Sequence, residues 1–380
     1  MSKRFYNDFK LGVLGGGQLG RMLIQSCVNF DIFTSVIDPD SQAPCAGFSN
    51  EFKTGSITDY ETVYNFGKKV DLLTIEIENV NIKALQQLEN EGVKIYPQPR
   101  VIEIIQDKRI QKQFYKDNHI PTADFVLIND RAQIADHASF LPAFQKLGKG
   151  GYDGGGVKRI GSISDIEIAF DAPSLLEKAV DFDKEISVIT ARSQSGKISV
   201  FPVVECVFHP DHNLVDYLIS PAHIDAEIEK KAYEIAIDLT QKLGIVGILA
   251  IEMFLTKEGD LLVNECAPRP HNSGHQTIDA NYTSQYEQHL RAILDLPLGS
   301  TAIRQPSAMV NVLGEEGYSG QVIYQGLNEV LQIEGAKVYL YGKKLTKPHR
   351  KMGHITIVDS KVDSLIEKVK EIKKIIKVIA

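Results

Sequence analysis

The sequence predicts a parallel α/β unit, then a longer mixed α+β unit, then a small β-rich one. Over roughly the first hundred residues short apolar runs alternate with helical-period stretches, and strands alternating with helices make a parallel sheet. The next two hundred residues carry strand-like runs near 175–178, 186–191 and 199–207, with helical stretches at 227–243 and 284–294. Pro297 and Pro306 then bracket a boundary, beyond which Lys337–Tyr341 and His354–Val358 read as strands before a closing amphipathic helix from Ser360. The expected units are therefore 1–105, 106–305 and 306–380.

In the first unit Leu11–Leu14 is a short buried strand, followed by Gly15-Gly16-Gly17-Gln18-Leu19-Gly20. Leu19, Met22, Leu23, Cys27 and Phe30 recur at helical spacing after it. Strand, glycine loop and helix satisfy G-x-G-x-x-G, and Asp38 closes a second strand (Phe33–Ile37) near the place of a ribose-binding acid. Exposed N–H groups and the helix dipole favour any phosphate. A nicotinamide dinucleotide, a phosphorylated substrate and a plain tight turn are all open on this loop alone. Asp71–Ile77 is a third strand with Glu76, Glu78 and Asn79 at its end, where ligands of parallel sheets bind. A charged helical stretch, Val101–Asn118, leads into the second unit.

There Lys146 precedes a segment in which five of the seven residues 150–156 are glycine, with Tyr152 and Asp153 between them. Such a loop closes over a triphosphate through its backbone N–H groups, and a lysine on the preceding strand adds a point charge. A loose surface loop is the alternative; a Walker loop is excluded, because G-x-x-x-x-G-K-[ST] is missing. Glu177 and Glu185 read locally as ordinary acids.

The most informative pair is Glu252 and Glu265, in two strand-like runs separated by Lys257-Glu258-Gly259-Asp260. With the turn centred between Glu258 and Gly259, residue i pairs with 517 − i and the two glutamates face each other. Opposed like charges repel unless offset. A divalent cation offsets them, and with Asn264 alongside they form the hard oxygen set that suits Mg²⁺ carrying phosphates. An arginine or lysine on each glutamate is the other solution.

His271 and His275 stand four apart, but Pro268-Arg269-Pro270 and Ser273-Gly274 make a loop, better suited to reaching an anionic substrate through Arg269, His271 and Asn272 than to zinc. Arg350-Lys351 reads as a phosphate hook or a solvated basic loop. A net charge of −7 argues against nucleic acid as an electrostatic partner. No run reaches membrane-spanning length. Strand-like sequence begins within ten residues, and four scattered cysteines without a C-x-x-C suit reduced thiols, so a cytoplasmic protein is expected.

Taken together these strings resemble the ATP-grasp ligases, and among them the 5-(carboxyamino)imidazole ribonucleotide synthases of purine biosynthesis. The resemblance runs through G-G-G-Q-L-G-R-M at 15–22, T-I-E-I-E-N at 74–79, G-G-Y-D-G-G-G at 150–156 and E-K at 177–178. It continues in N-E-C-A-P-R-P-H-N-S-G-H at 264–275 and R-K-M-G-H at 350–354. It implies a Rossmann-like first unit, a central ATP-grasp unit and a small C-terminal one, in a homodimer. It implies that ATP is held by Lys108, Lys146, Gly151, Tyr152, Asp153, Gly154, Gly155, Gly156, Val157, the Glu177-Lys178-Ala179-Val180 edge, Glu185, His209, Asn264 and Glu265, with Mg²⁺ on Glu252 and Glu265. The ribonucleotide falls to Gly17, Gln18, Leu19, Glu76, Tyr152, Asp153, Arg269, His271, Asn272, Lys344, Arg350 and Lys351. The implied reaction uses ATP to activate bicarbonate as carboxyphosphate and carboxylates the amine of aminoimidazole ribonucleotide. Lys146 contacts the transferring phosphoryl group, while Asp153 and Arg269 orient bicarbonate or accept the amine proton. Three positions depart from the family: Lys108 stands where D-R-L-T has arginine, which leaves the upstream nucleotide contact to Lys108 or to neighbouring Arg109, Leu147-Gly148 replaces T-R, and Val157 replaces a glutamine. His209 fits the family's middle-strand histidine better than His212.

Overall fold

The computed structural model of the protein describes residues 8–151, 155–208 and 215–380. Its first unit is a five-stranded parallel sheet of β1 (Lys10–Leu14), β2 (Phe33–Asp38), β3 (Glu51–Thr54), β4 (Leu72–Ile75) and β5 (Lys94–Ile95), in the order β3-β2-β1-β4-β5. Helices α1 (Gln18–Asn29), α2 (Tyr60–Gly67) and α3 (Ile82–Asn90) supply the crossovers. β1 is central, and Leu11, Val13 and Leu14 are buried on both of its faces, as a covered parallel strand requires. The strand order reverses between β1 and β4, so the crevice past their carboxyl ends holds both the glycine loop and Glu76.

The linking stretch is two helices rather than one. α4 (Pro99–Gln106) stops at Asp107, whose extended backbone breaks the helix and whose carboxylate accepts the N–H of Arg109 to cap α5 (Lys108–Asp117). Next come β6 (Phe125–Ile128), β7 (Ala143–Leu147), β8 (Val157–Ile160) and β9 (Ser174–Lys178), an antiparallel sheet in the order β6-β9-β7-β8.

A nine-stranded antiparallel sheet forms the body: β10 (Phe182–Arg192), β11 (Ile198–Val200), β12 (Val204–Phe208), β13 (Val215–Ser220), β14 (Gly247–Thr256) and β15 (Leu261–Ala267), joined by three C-terminal strands. α6 (Ala226–Leu243) lies on it through Ala232, Ala236, Leu239 and Leu243, one apolar stripe at helical spacing. A 3₁₀ turn (Asn272–Gly274), α7 (Thr277–Ala280) and α8 (Gln285–Ile293) then return the chain to the first unit, where Tyr286, Leu290 and Ile293 share a core with α1 and β1.

The C-terminal part contains β16 (Ser307–Leu313), β17 (Gly320–Gln321), β18 (Ile323–Gln325), α9 (Leu327–Val330), β19 (Ala336–Leu340), β20 (Leu345–Thr346), β21 (Lys351–Val358), α10 (Val362–Ile375) and β22 (Lys377–Ile379). Its sheet is not separate: β16 pairs with β13 and carries β21 and β19 onward, so hydrogen bonding runs unbroken across residue 306. The last helix buries Leu365, Val369 and Ile372 as its spacing predicts, but it ends at Ile375, and Ile379 belongs to β22.

Candidate functional site

Glu252 and Glu265 do face each other across β14 and β15, though the register differs from the simple hairpin. Near the turn Leu255 pairs with Leu261 and Met253 with Val263, a sum of 516; beyond Glu252–Glu265 the sum is 517. The extra residue is Asn264, a β-bulge. In a regular strand Asn264 and Glu265 would point to opposite faces, whereas a bulge re-aims one of them. Both side chains therefore reach the cleft: Asn264 Oδ1 accepts Lys146 Nζ at 2.8 Å, and Glu265 pairs with Lys108.

The charges that offset these acids are unevenly shared. Burial first, and Glu265 second, push the Glu252 carboxyl up from its ordinary range. Glu185, on β10 beside it, is raised by burial and then by Glu252 and Glu265, while Asn264 donates to its ionised form. Glu265 is held low, chiefly by the Lys108 ammonium. Lys108 is thus engaged with a carboxylate, and His271 Nε2 stands 3.8 Å from Glu252. Among the described residues no three acidic, histidine or cysteine side chains converge on one point. Glu265 thus carries the lysine of the other solution and the Asn264 oxygen is taken by Lys146; the donor set that fits Mg²⁺ is the two facing carboxylates, because that ion keeps much of its shell for water and phosphate.

Lys146, on β7, donates to Glu177 Oε1 at 2.6 Å. The other Glu177 oxygen takes the ammonium of Lys112 at 2.5 Å. Burial pushes Glu177 up, and the two lysines more than reverse it. Its side chain is thus a buried counter-ion to both lysines. The backbone of the same segment is partly used: Lys178 N–H donates to Asp124 O and Ala179 N–H to Pro142 O.

The first glycine loop is closed by the protein's own acids. Asp38 Oδ2 accepts Gly16 N–H at 2.6 Å, and Glu76 Oε1 accepts Leu19 N–H at 3.1 Å. Gly15 needs its glycine for a φ of +97°, and a Cβ on Gly17 would strike the Glu76 carboxyl. A pyrophosphate brought to these two amides would meet two carboxylates, which counts against the dinucleotide reading. Glu76 is raised by burial and lowered by Arg269. Arg269 also pairs with Glu78 through Nε–Oε1 at 2.9 Å, and Nη1 donates to Pro270 O at 3.0 Å. Nearby Asn272 Oδ1 is buried with no hydrogen-bond partner among the described residues.

From the far side the C-terminal strands bring lysines. Lys351 is close enough to favour the ionised form of Glu252, and Lys343 does the same for Glu76. Lys343 Nζ also donates to Lys351 O at 2.7 Å. Lys344 lines a neighbouring recess of about 320 Å³ with Lys343, Gly342 and Tyr324. Arg350 departs from the expected hook, since its Nη1 donates to Leu345 O at 2.6 Å along its own loop. His271 and His275 diverge: His275 is buried, its ring 4.6 Å from that of His354 and its Nδ1 3.0 Å from the Tyr286 hydroxyl.

Gly151, Gly155, Gly156 and Val157 close the β7–β8 hairpin, with Leu147 N–H on Gly156 O. Tyr152, Asp153, Gly154, His209 and His212 lie outside the described residues. Sequence reasoning missed two residues. Lys112 follows Lys108 by one helical turn, a spacing that was readable. Lys343 adjoins Lys344, but nothing local marks it.

Three domain families match the chain in succession: a ribonucleotide synthetase preATP-grasp domain at 9–106, an ATP-grasp domain at 113–286 and a phosphoribosylaminoimidazole carboxylase C-terminal domain at 307–368. The N5-carboxyaminoimidazole ribonucleotide synthase of Bacillus subtilis is 37% identical over 97% of both chains. The chloroplastic phosphoribosylaminoimidazole carboxylase of Vigna aconitifolia is 39% identical over 93% of this chain, which spans only 65% of that protein's length. The crystal structure of N5-carboxyaminoimidazole ribonucleotide synthetase from Thermotoga maritima superposes with a TM-score of 0.91 at 44% identity, over 98% of this chain and 99% of that one.

Proposed function

The chain belongs to the N5-carboxyaminoimidazole ribonucleotide synthase family of ATP-grasp ligases, and from that premise we propose that it carboxylates the amine of 5-aminoimidazole ribonucleotide with ATP and bicarbonate. The observation that carries this reading is one cleft with two kinds of wall. The bulged hairpin presents Glu252, Asn264 and Glu265 opposite Lys146, while Glu76, Arg269, Asn272, Lys343 and Lys351 gather beside it.

Bicarbonate oxygen attacks the γ-phosphorus, the bond to the β–γ bridging oxygen breaks, and ADP leaves. The amine nitrogen then attacks the carboxyphosphate carbon, the C–O bond to phosphorus breaks, and phosphate leaves with that oxygen. Magnesium on Glu252 and Glu265, when bound, neutralises charge on the phosphoryl group. Lys146 adds a fixed positive contact on the opposite wall. Arg269, held by Glu78, orients the planar anion, and the Asn272 amide takes its remaining polar edge. Arg269 does not accept the amine proton, because a guanidinium stays charged; that role is left to Asp153 or to the departing phosphate. Lys343, Lys344 and Lys351 receive the ribonucleotide phosphate, with Glu76 towards its ring. The chain works as a homodimer in the cytoplasm, a reading supported by the family resemblance and by four buried, unpaired thiols. No described helix is long and apolar enough to cross a membrane.

The test is phosphate release with ATP, magnesium and bicarbonate, offering candidate amines in turn. Release that requires both bicarbonate and aminoimidazole ribonucleotide is expected. Equal release with an unrelated amine would assign the chain to a different ATP-grasp ligation.

A further inference from the structure

Lys112 is 2% exposed on α5, a buried ammonium paired with Glu177. Its Nζ lies 2.5 Å from Glu177 Oε2 as an ion pair and donates to Thr122 Oγ1 at 2.5 Å and to Val263 O at 3.3 Å. Thr122 Oγ1 in turn donates to Val263 O at 2.6 Å. Burying a lysine is costly unless its charge is needed, and here the need lies one residue away. Glu177 is shared: one oxygen goes to Lys112 and the other to Lys146, which turns on to Asn264. The three side chains sum to one positive charge. Without Lys112, Glu177 would pair one-to-one with Lys146 and cancel it where a phosphate has to be met.

We propose that Lys112 is a positioning residue for nucleotide binding: by sharing Glu177 it keeps Lys146 a net positive charge and fixes its ammonium against the bulged hairpin. The arrangement joins α5, the four-stranded sheet and β15, the elements that must hold their spacing for the cleft to keep its shape. The inference rests on the reading above that Lys146 faces the nucleotide phosphates.

The experiment is titration of the full chain with ADP and magnesium, for the unmodified protein, K112M and K112M/E177Q. K112M leaves the pair neutral, and ADP affinity should fall about tenfold. The double variant restores one net positive charge at Lys146, and its affinity should return to within about threefold of the unmodified protein. A merely structural lysine predicts the opposite order, with the double variant the weaker of the two. Unchanged affinity in K112M, or a double variant weaker than K112M, overturns the inference while leaving the proposed function standing. If K112M alone does not fold, the double variant decides: near-normal ADP affinity supports the role, and a loss of more than about tenfold refutes it. An unmodified chain that fails to bind ADP with magnesium removes both readings together.

Discussion

Replacing Glu252 with glutamine is expected to make the ligand-free protein more stable and the liganded protein less so. Glu252 and Glu265 are directly opposed, which places their Cβ atoms roughly 5 Å apart. At that distance two unit charges repel by about 3 kcal/mol with an effective dielectric near 20. Lys108, Lys351 and Lys146 offset part of this, so E252Q should gain on the order of 1–2 kcal/mol at pH 8. The sign follows from the raised carboxyl. A group that holds its proton more tightly in the folded than in the unfolded state contributes stability at low pH and loses it as pH rises through the folded value. E252Q should therefore match the unmodified protein near pH 5 and exceed it near pH 8. Urea unfolding in the presence of a chelator reads this difference. Repeating it with ADP and magnesium at about a hundred times the dissociation constant should add roughly 2.7 kcal/mol to the unmodified protein, and far less to E252Q. The two orders of stability cross. E252Q that is less stable without ligand at pH 8, or that gains as much as the unmodified protein from ADP and magnesium, would refute the reasoning.

Two further outcomes follow from side chains around the cleft. His289 is buried between units: Ile248 N–H donates to Nδ1 at 3.2 Å, which leaves Nε2 protonated towards Thr74 Oγ1 at 3.0 Å, and burial pushes its pKa down to about 3. Because the folded value lies below the unfolded 6.5, its stability is present above pH 6.5 and lost as pH falls, about 2 kcal/mol by pH 5. H289Q should lose about that much less between pH 7 and pH 5 in urea unfolding; an equal loss would show that His289 takes up its proton as readily in the folded as in the unfolded protein. E78Q removes the charge that pins Arg269, so the KM for bicarbonate should rise about tenfold while the KM for ATP stays within twofold. A rise in both would make Glu78 a general structural support instead.

Much of this site was legible in the chain because its motifs are local. The G-G-G loop, the Lys146 strand and the two glutamates around Lys257–Asp260 each announce a strand end or a hairpin within a few residues. What was not legible depends on relations between elements. Asn264 and Glu265 are both polar, so period-two patterning cannot say which is the extra residue of a bulge, although the bulge alone puts both into the cleft. The acids that fill the first loop, Asp38 and Glu76, sit on neighbouring strands, and only the parallel register shows that they cap its amides. Lys112 lies in a strongly charged helix, where a lysine ordinarily faces water; the acid that draws it inward is sixty-five residues away, on β9. A boundary at residue 306 follows from proline spacing, but continuity from β13 to β16 is a property of the sheet.

Isotope transfer reaches the chemistry itself. Bicarbonate enriched in ¹⁸O is supplied with ATP, magnesium and aminoimidazole ribonucleotide, and the phosphate released is examined by mass spectrometry. If bicarbonate attacks the γ-phosphorus, each phosphate carries one oxygen that began in bicarbonate. Phosphate carrying no label, released at the rate of ribonucleotide consumption, would mean that carboxyphosphate is never formed in this cleft.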